Sequence, residues 1–176
     1  MERSRGTGQV VFEGRILSVR VDPVDVPSGQ STREVVVKSP AVAVVTQVPE
    51  GLVIIRQYRW AMQEMLWELP AGVVEPNESA VEAIRRELVE EAGYWANTLQ
   101  WVDTFYPSPG YSAERLDLYF TDDVHGVPRQ PDQDEELEVH IWSRQTVLDH
   151  LARHEVKNGI TLFGLNWWLR QHTATP

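Results

Sequence analysis

The sequence predicts an α/β sandwich of the α+β kind, a mixed sheet with helices on both faces and an N-terminal β-hairpin region. Three observations predict it. Runs of β-branched residues fill the first half, one strongly amphipathic helix follows at Ser79 to Ala92, and two further helical stretches close the chain. At 176 residues the chain is long enough for one core and short for two. We therefore expect a single domain over 1–176, with N-terminal strands over about 1–38 and the core over about 40–172.

The segment Gln9 to Val26 is rich in β-branched residues and leads into a turn at Pro27, Ser28 and Gly29. Glu34 to Lys38 and Ala41 to Val48 are strand-like runs, parted at Ser39 and Pro40 because proline cannot donate to a ladder. Pro49, Glu50 and Gly51 mark a tight turn, so Ala41 to Val48 and Leu52 to Arg56 form a hairpin. Ser79 and Glu82 make a capping box, Gly93 sits where a helix stops, and Val81, Ile84, Leu88 and Ala92 give one apolar stripe. Beyond it, Leu99 to Tyr106, Leu116 to Phe120 and Leu137 to Trp142 read as strands. Gln145 to His154 and Ile160 to Arg170 read as helices.

Composition narrows the function. The net charge of -10 argues against binding a nucleic-acid backbone, and an acidic site holds an anionic substrate only if cations reverse the local field. The chain contains no Cys, which excludes disulfides, thiolate-zinc sites and thiol nucleophiles and fits a reducing cytoplasm. Met1 to Gly8 lacks the apolar core of a signal peptide, and no apolar stretch approaches the ~20 residues of a membrane span.

On a helix projected at 100° per residue with Glu87 at zero, Glu91 falls near 40°, Glu90 near 300° and the apolar stripe at roughly 60° to 140°. Three carboxylates thus crowd one flank at the negative end of the helix dipole, where mutual repulsion costs about 0.2–0.5 kcal/mol per pair. Such a run is usually a solvated face. Hard divalent cations such as Mg²⁺ or Mn²⁺ would instead turn the repulsion into coordination.

The preceding loop decides between these readings. Gly72, five residues, Glu78, seven residues, then Arg86, Glu87, the aliphatic Leu88, Glu90, Glu91 and Gly93 all stand at the fixed spacing of one gapped motif, which resembles the Nudix box. The departure is Tyr94, where that pattern has an aliphatic residue. Flanking segments are similar to the ADP-ribose pyrophosphatase branch of the Nudix hydrolases: Arg33 to Val36, Arg56 to Arg59, Glu68 to Gly72, and Tyr106 to Glu114. The resemblance extends over about Arg15 to Arg170.

What the resemblance implies is specific. Glu87, Glu90 and Glu91, with the backbone carbonyl of Ala71, would hold Mg²⁺ or Mn²⁺. Arg86 and Glu78 would orient the carboxylates, Gly72 would permit a close backbone approach, and Glu90 would also serve as proton acceptor. Arg59 would reach the phosphates or terminal ribose, Glu34 the adenine amino group, and Glu114 the substrate. Plain alternatives are a surface ion pair for Arg59, an exposed strand residue for Glu34, and a simple turn at Pro109 and Gly110. In the acidic stretch Asp132 to Glu136, Gln133 stands where the family often has Glu, and an amide is no general base. The order of candidates for the base is Glu90, Glu135, Glu136.

The implied reaction is hydrolysis of ADP-ribose to AMP and ribose 5-phosphate, by a homodimer that exchanges N-terminal strands between subunits and lets Glu34 act in the neighbouring subunit's site. The alternatives are another nucleoside diphosphate sugar as substrate, or a non-catalytic nucleotide-sensing module. His150 and His154, four apart, lack a third zinc ligand and read as exposed helix residues. Trp167 and Trp168 read as packing rather than base-stacking groups.

Overall fold

Valine-rich segments build the first ladder. In the computed structural model, which describes residues 1–130 and 136–171, β3 (Ser18–Val26) pairs antiparallel with β4 (Gly29–Val37) from Ser18↔Val37 to Val26↔Gly29. The reversal falls at Pro27 and Ser28, as the turn residues predict. The other edge of β3 carries the short β1 (Arg3–Ser4) and β2 (Gln9–Glu13). Contacts divide the chain into two units, and this one comprises Met1–Pro40 with Thr104–Leu116. The later segment joins it through Val36, whose N–H donates to Tyr111 O at 2.8 Å and whose carbonyl accepts from Ala113 N at 2.9 Å.

The second unit, Ala41–Asp103 with Asp117–Pro176, is built on a seven-stranded sheet. Its strands are β5 (Ala41–Val48), β6 (Gly51–Arg59), β7 (Glu64–Glu68), β8 (Ala71–Val73), β10 (Gln100–Phe105), β11 (Leu116–Thr121) and β13 (Leu137–Trp142). The central path runs β10-β11-β5-β6-β13, with β7 on β6 and β8 on β5. The β5–β6 hairpin closes at Val48↔Gly51, as expected. A two-stranded ribbon, β9 (Tyr94–Ala96) with β12 (Val124–Gly126), was not evident from the sequence, nor were β7 and β8. All are too short or too mixed in composition to show a clear period.

Helices cover both faces. Val42 and Val44 of β5 pack with Ala83 and Ile84 of α1 (Ala80–Glu87) and with Leu88 beyond it. Val45, pointing the other way, meets Gly164 of α3 (Gly159–Gln171), and α2 (Arg144–Ala152) packs beside β13. The sandwich is therefore the predicted one. Tyr94 packs against the α1 side of this core, so its departure from the motif is absorbed by burial.

Two aromatic expectations resolve differently. Trp168 is buried and donates to Gln47 Oε1 at 2.7 Å, while Trp167 lies against Phe120, so both serve packing. His150 is not an exposed helix residue: its ring stacks on Trp142 at 3.9 Å, because α2 turns that face onto β13. His154 falls past the helix end with a φ of 56°. Among the described residues no helix is long and apolar enough to cross a membrane.

Candidate active site

The capping box starts the site helix as its sequence requires. Ser79 accepts from Glu82 N, and the Glu82 carboxylate accepts from Ser79 N at 2.8 Å. The α-helix ends at Glu87. Leu88–Ala92 widens into a π-helical turn, and Gly93, at φ 72°, closes it in the left-handed conformation that glycine adopts without strain. This corrects the uniform 100° projection: a wider turn advances less per residue, so the three carboxylates do not share one environment. Glu91 is only 2% exposed, whereas the Glu87 and Glu90 side chains are 14% and 24% exposed.

Glu91 Oε2 accepts a hydrogen bond from Ala71 N at 2.9 Å, which fixes the end of the helix to β8. The next residue, Gly72, lies so close to α1 that a Cβ there would overlap the Glu87 carboxylate. Leu69 N, just upstream, donates to the buried Thr161 Oγ1 at 2.9 Å, so α3 holds the short connection that leads from β7 into β8.

Arg86 sits at the centre of the acidic groups. Its Nε and Nη2 fork onto Glu78 at 2.9 and 3.0 Å, and its Nη1 reaches Glu87 Oε1 at 2.8 Å and Glu90 Oε2 at 3.0 Å. Nη2 also donates to Val73 O at 3.0 Å. The hydrogen bonds to Arg86 hold the Glu78 carboxyl below its ordinary range, helped by the N–H of Glu75, and the same carboxylates raise the guanidinium. Arg86 and Glu78 thus join the Gly72 loop to the helix. A cleft of 330 Å³ beside them, lined by Glu90, Trp95 and Gln130 among others, opens this flank to solvent.

The oxygen donors gathered here suit a hard divalent cation, and the space at Gly72 brings Glu87 against the β8 backbone. Among the described residues no three acidic or imidazole groups converge on one point, since Arg86 draws Glu87 and Glu90 to itself.

The remaining expected residues fall in different places. Arg59, at the end of β6, forks onto Glu68 with Nε–Oε1 at 3.0 Å and Nη2–Oε2 at 2.5 Å, and Glu68 is buried at 3% exposure. The sequence segment Glu68 to Gly72 carried this partner, yet nothing local marked Glu68 as the counter-charge. Glu34 and Glu114 belong to the first unit: Glu34 is exposed on β4, and Glu114 Oε1 accepts from Lys38 Nζ at 2.6 Å. The Pro109–Gly110 segment forms a turn closed by Ser112 N on Ser108 O at 2.9 Å. Glu135 and Gln133 lie outside the described residues, and Glu136 is exposed.

A NUDIX domain model matches residues 37–162. An ADP-ribose pyrophosphatase of Bacillus subtilis (strain 168) is 30% identical over 161 residues, covering 89% of this chain and 87% of that protein. A methanol dehydrogenase activator of Bacillus methanolicus is 37% identical over 111 residues, 62% of this chain and 60% of that protein. A crystal structure of an ADP compounds hydrolase superposes with a TM-score of 0.84 at 22% identity, covering 98% of this chain and 96% of its own, and so shares the fold. With the motif residues assembled around Arg86 and the family model spanning most of its length, the chain belongs to the NUDIX domain family and is a Nudix pyrophosphohydrolase.

Proposed function

We propose that this protein hydrolyses the diphosphate bridge of ADP-ribose, giving AMP and ribose 5-phosphate, with Mg²⁺ or Mn²⁺ as cofactor. The observation that carries the reading is the packing of the Glu87 carboxylate into the space left by Gly72, with Glu91 tied to Ala71 beside it. That brings two box carboxylates to one stretch of backbone, where Glu87, Glu90, Glu91 and the Ala71 carbonyl would hold the ion. When bound, such a cation neutralises phosphate charge and activates water.

The chain's own groups supply the rest. The oxygen of a water molecule bonds to one phosphorus, and the bridging P–O bond breaks with its electron pair going to the leaving phosphate. Glu90 takes the proton of that water, held in place through Arg86. Glu135 and then Glu136 stand next in order for that role. Arg59, anchored by Glu68, presents positive charge to the phosphates or terminal ribose. Glu34 accepts from the adenine amino group, and Glu114 contacts the substrate.

The N-terminal strands over about 1–38 serve a homodimer, which accounts for Val10, Val11, Phe12 and Ile16 being exposed. The whole chain then acts as one Nudix domain in the cytoplasm, on a nucleotide sugar, without nucleic acid or membrane. Relatives named as ADP-ribose pyrophosphatases support the substrate.

The test is a phosphate-release panel of ADP-ribose, other nucleoside diphosphate sugars and nucleoside triphosphates, each with and without Mg²⁺. ADP-ribose should be cleaved best, and only with the ion. Cleavage of triphosphates alone would overturn the reading, and no cleavage at all would favour a sensing module.

A further inference from the structure

The π-helical turn leaves a backbone group that the helix cannot satisfy. Gly93 N–H serves the carbonyls of Leu88 and Val89, the chain then departs into β9, and among the described residues no backbone N–H from the next turn reaches Glu90 O. The missing donor arrives from 39 residues along the chain: Arg129 Nε donates to Glu90 O at 3.1 Å. Its Nη1 donates to Leu137 O, the first residue of β13, at 3.2 Å. Pairing of β12 with β9 delivers the arginine to this spot, helped by Val127 N on Gly93 O at 2.9 Å.

We infer that Arg129 is a positioning residue for the reaction, holding the backbone of Glu90 while Arg86 holds its side chain. Glu90 is thereby gripped from both ends, and the turn that carries Glu90 and Glu91 is tied to the central sheet through β13. The positive charge also lies at the negative pole of the site helix, where it offsets the dipole among crowded carboxylates. Arg129 Nη2 is buried with no hydrogen-bond partner among the described residues. That loss is tolerated where the other two bonds fix a working turn.

This inference rests on the proposed roles of Glu90 and Glu91, so the test separates the two. Full-length wild type, Arg129→Gln, Arg129→Lys and Arg85→Gln are compared by Mn²⁺ titration calorimetry, by kcat and KM on ADP-ribose, and by thermal melting. Arg85 is the control, since its side chain ties the same helix to Ala96 O and Asn97 O instead of to Glu90 O. Arg129→Gln should weaken Mn²⁺ binding about tenfold and lower kcat ~10–100-fold at little changed KM. Arg129→Lys should fall between it and wild type, and Arg85→Gln should match wild type.

Wild-type Mn²⁺ affinity and kcat in a folded Arg129→Gln overturn the inference, as does an equal loss in Arg85→Gln. If Arg129→Gln does not fold, Arg129→Lys decides: a fall in affinity and kcat at unchanged melting supports the role, and wild-type values end it. Wild type that binds Mn²⁺ but leaves ADP-ribose intact sinks the substrate reading alone, and the Mn²⁺ affinities then decide the role of Arg129.

Discussion

The carboxylate of Glu87 fills the volume in which residue 72 would place a side chain, so Gly72 and Glu87 cannot both be substituted freely. Gly72→Ala should push that carboxylate aside while the flexible side chain spares the fold. A displacement of about 1 Å at a reacting centre costs on the order of 10²-fold in rate. We expect kcat to fall by that order with a melting temperature within about 3 °C of wild type. Unchanged kinetics would show that Glu87 does not work from this position.

Glu87→Gln and Glu91→Gln retain shape but lose charge. The amide at 91 can still accept from Ala71 N, so folding should persist. Turnover should drop ~10²–10³-fold, since each 1.36 kcal/mol of lost stabilisation is tenfold. Glu90→Gln should fall ~10²–10⁴-fold as the loss of a proton acceptor. Steady-state kinetics at saturating Mg²⁺ decides, and wild-type rates would sink the site assignment.

Acid should weaken the Gly72 loop through Glu78. Its carboxyl is depressed below the ordinary 4.5, chiefly by hydrogen bonds from Arg86, so its contribution is complete above 4.5 and is lost as pH falls through the folded-state value. Melting curves across that window should decline in wild type. Glu78→Gln should show a shallower decline, and equal slopes would remove Glu78 as the cause.

Arg59→Ala leaves the buried Glu68 without its counter-charge. Breaking such a pair costs about 3 kcal/mol, readable in urea unfolding. Adding Glu68→Gln should recover part of the loss. A KM for ADP-ribose that stays at the wild-type value in Arg59→Lys would argue that the arginine only braces Glu68.

The exposed β2 residues predict association. If these strands form the proposed dimer, Val11→Asp should convert it to a monomer in sedimentation equilibrium, because the exposed Val11 would then carry an unpaired charge into the proposed interface. A monomeric wild type would end the proposal for these strands.

Much of the candidate site was legible because its signals lie in one continuous stretch, Gly72 to Gly93 with the Ser79–Glu82 box inside it, and the Pro49–Glu50 turn marked the β5–β6 hairpin in the same local way. The π turn was not, since Leu88, Glu90, Glu91 and Ala92 satisfy an α-helical stripe equally well in sequence. Long-range partners were silent too. Glu68 for Arg59, Arg129 for Glu90 O, and residues 104–116 for Val36 depend on strands brought together by the sheet, and no periodicity announces them.

The bond from Leu69 N to Thr161 Oγ1 spans 92 positions. During synthesis, the strand leading to Ala71 emerges long before the hydroxyl that anchors it. A nascent chain therefore cannot close this bond until α3 has been made, so the backbone entering β8 waits on a helix far downstream in the sequence.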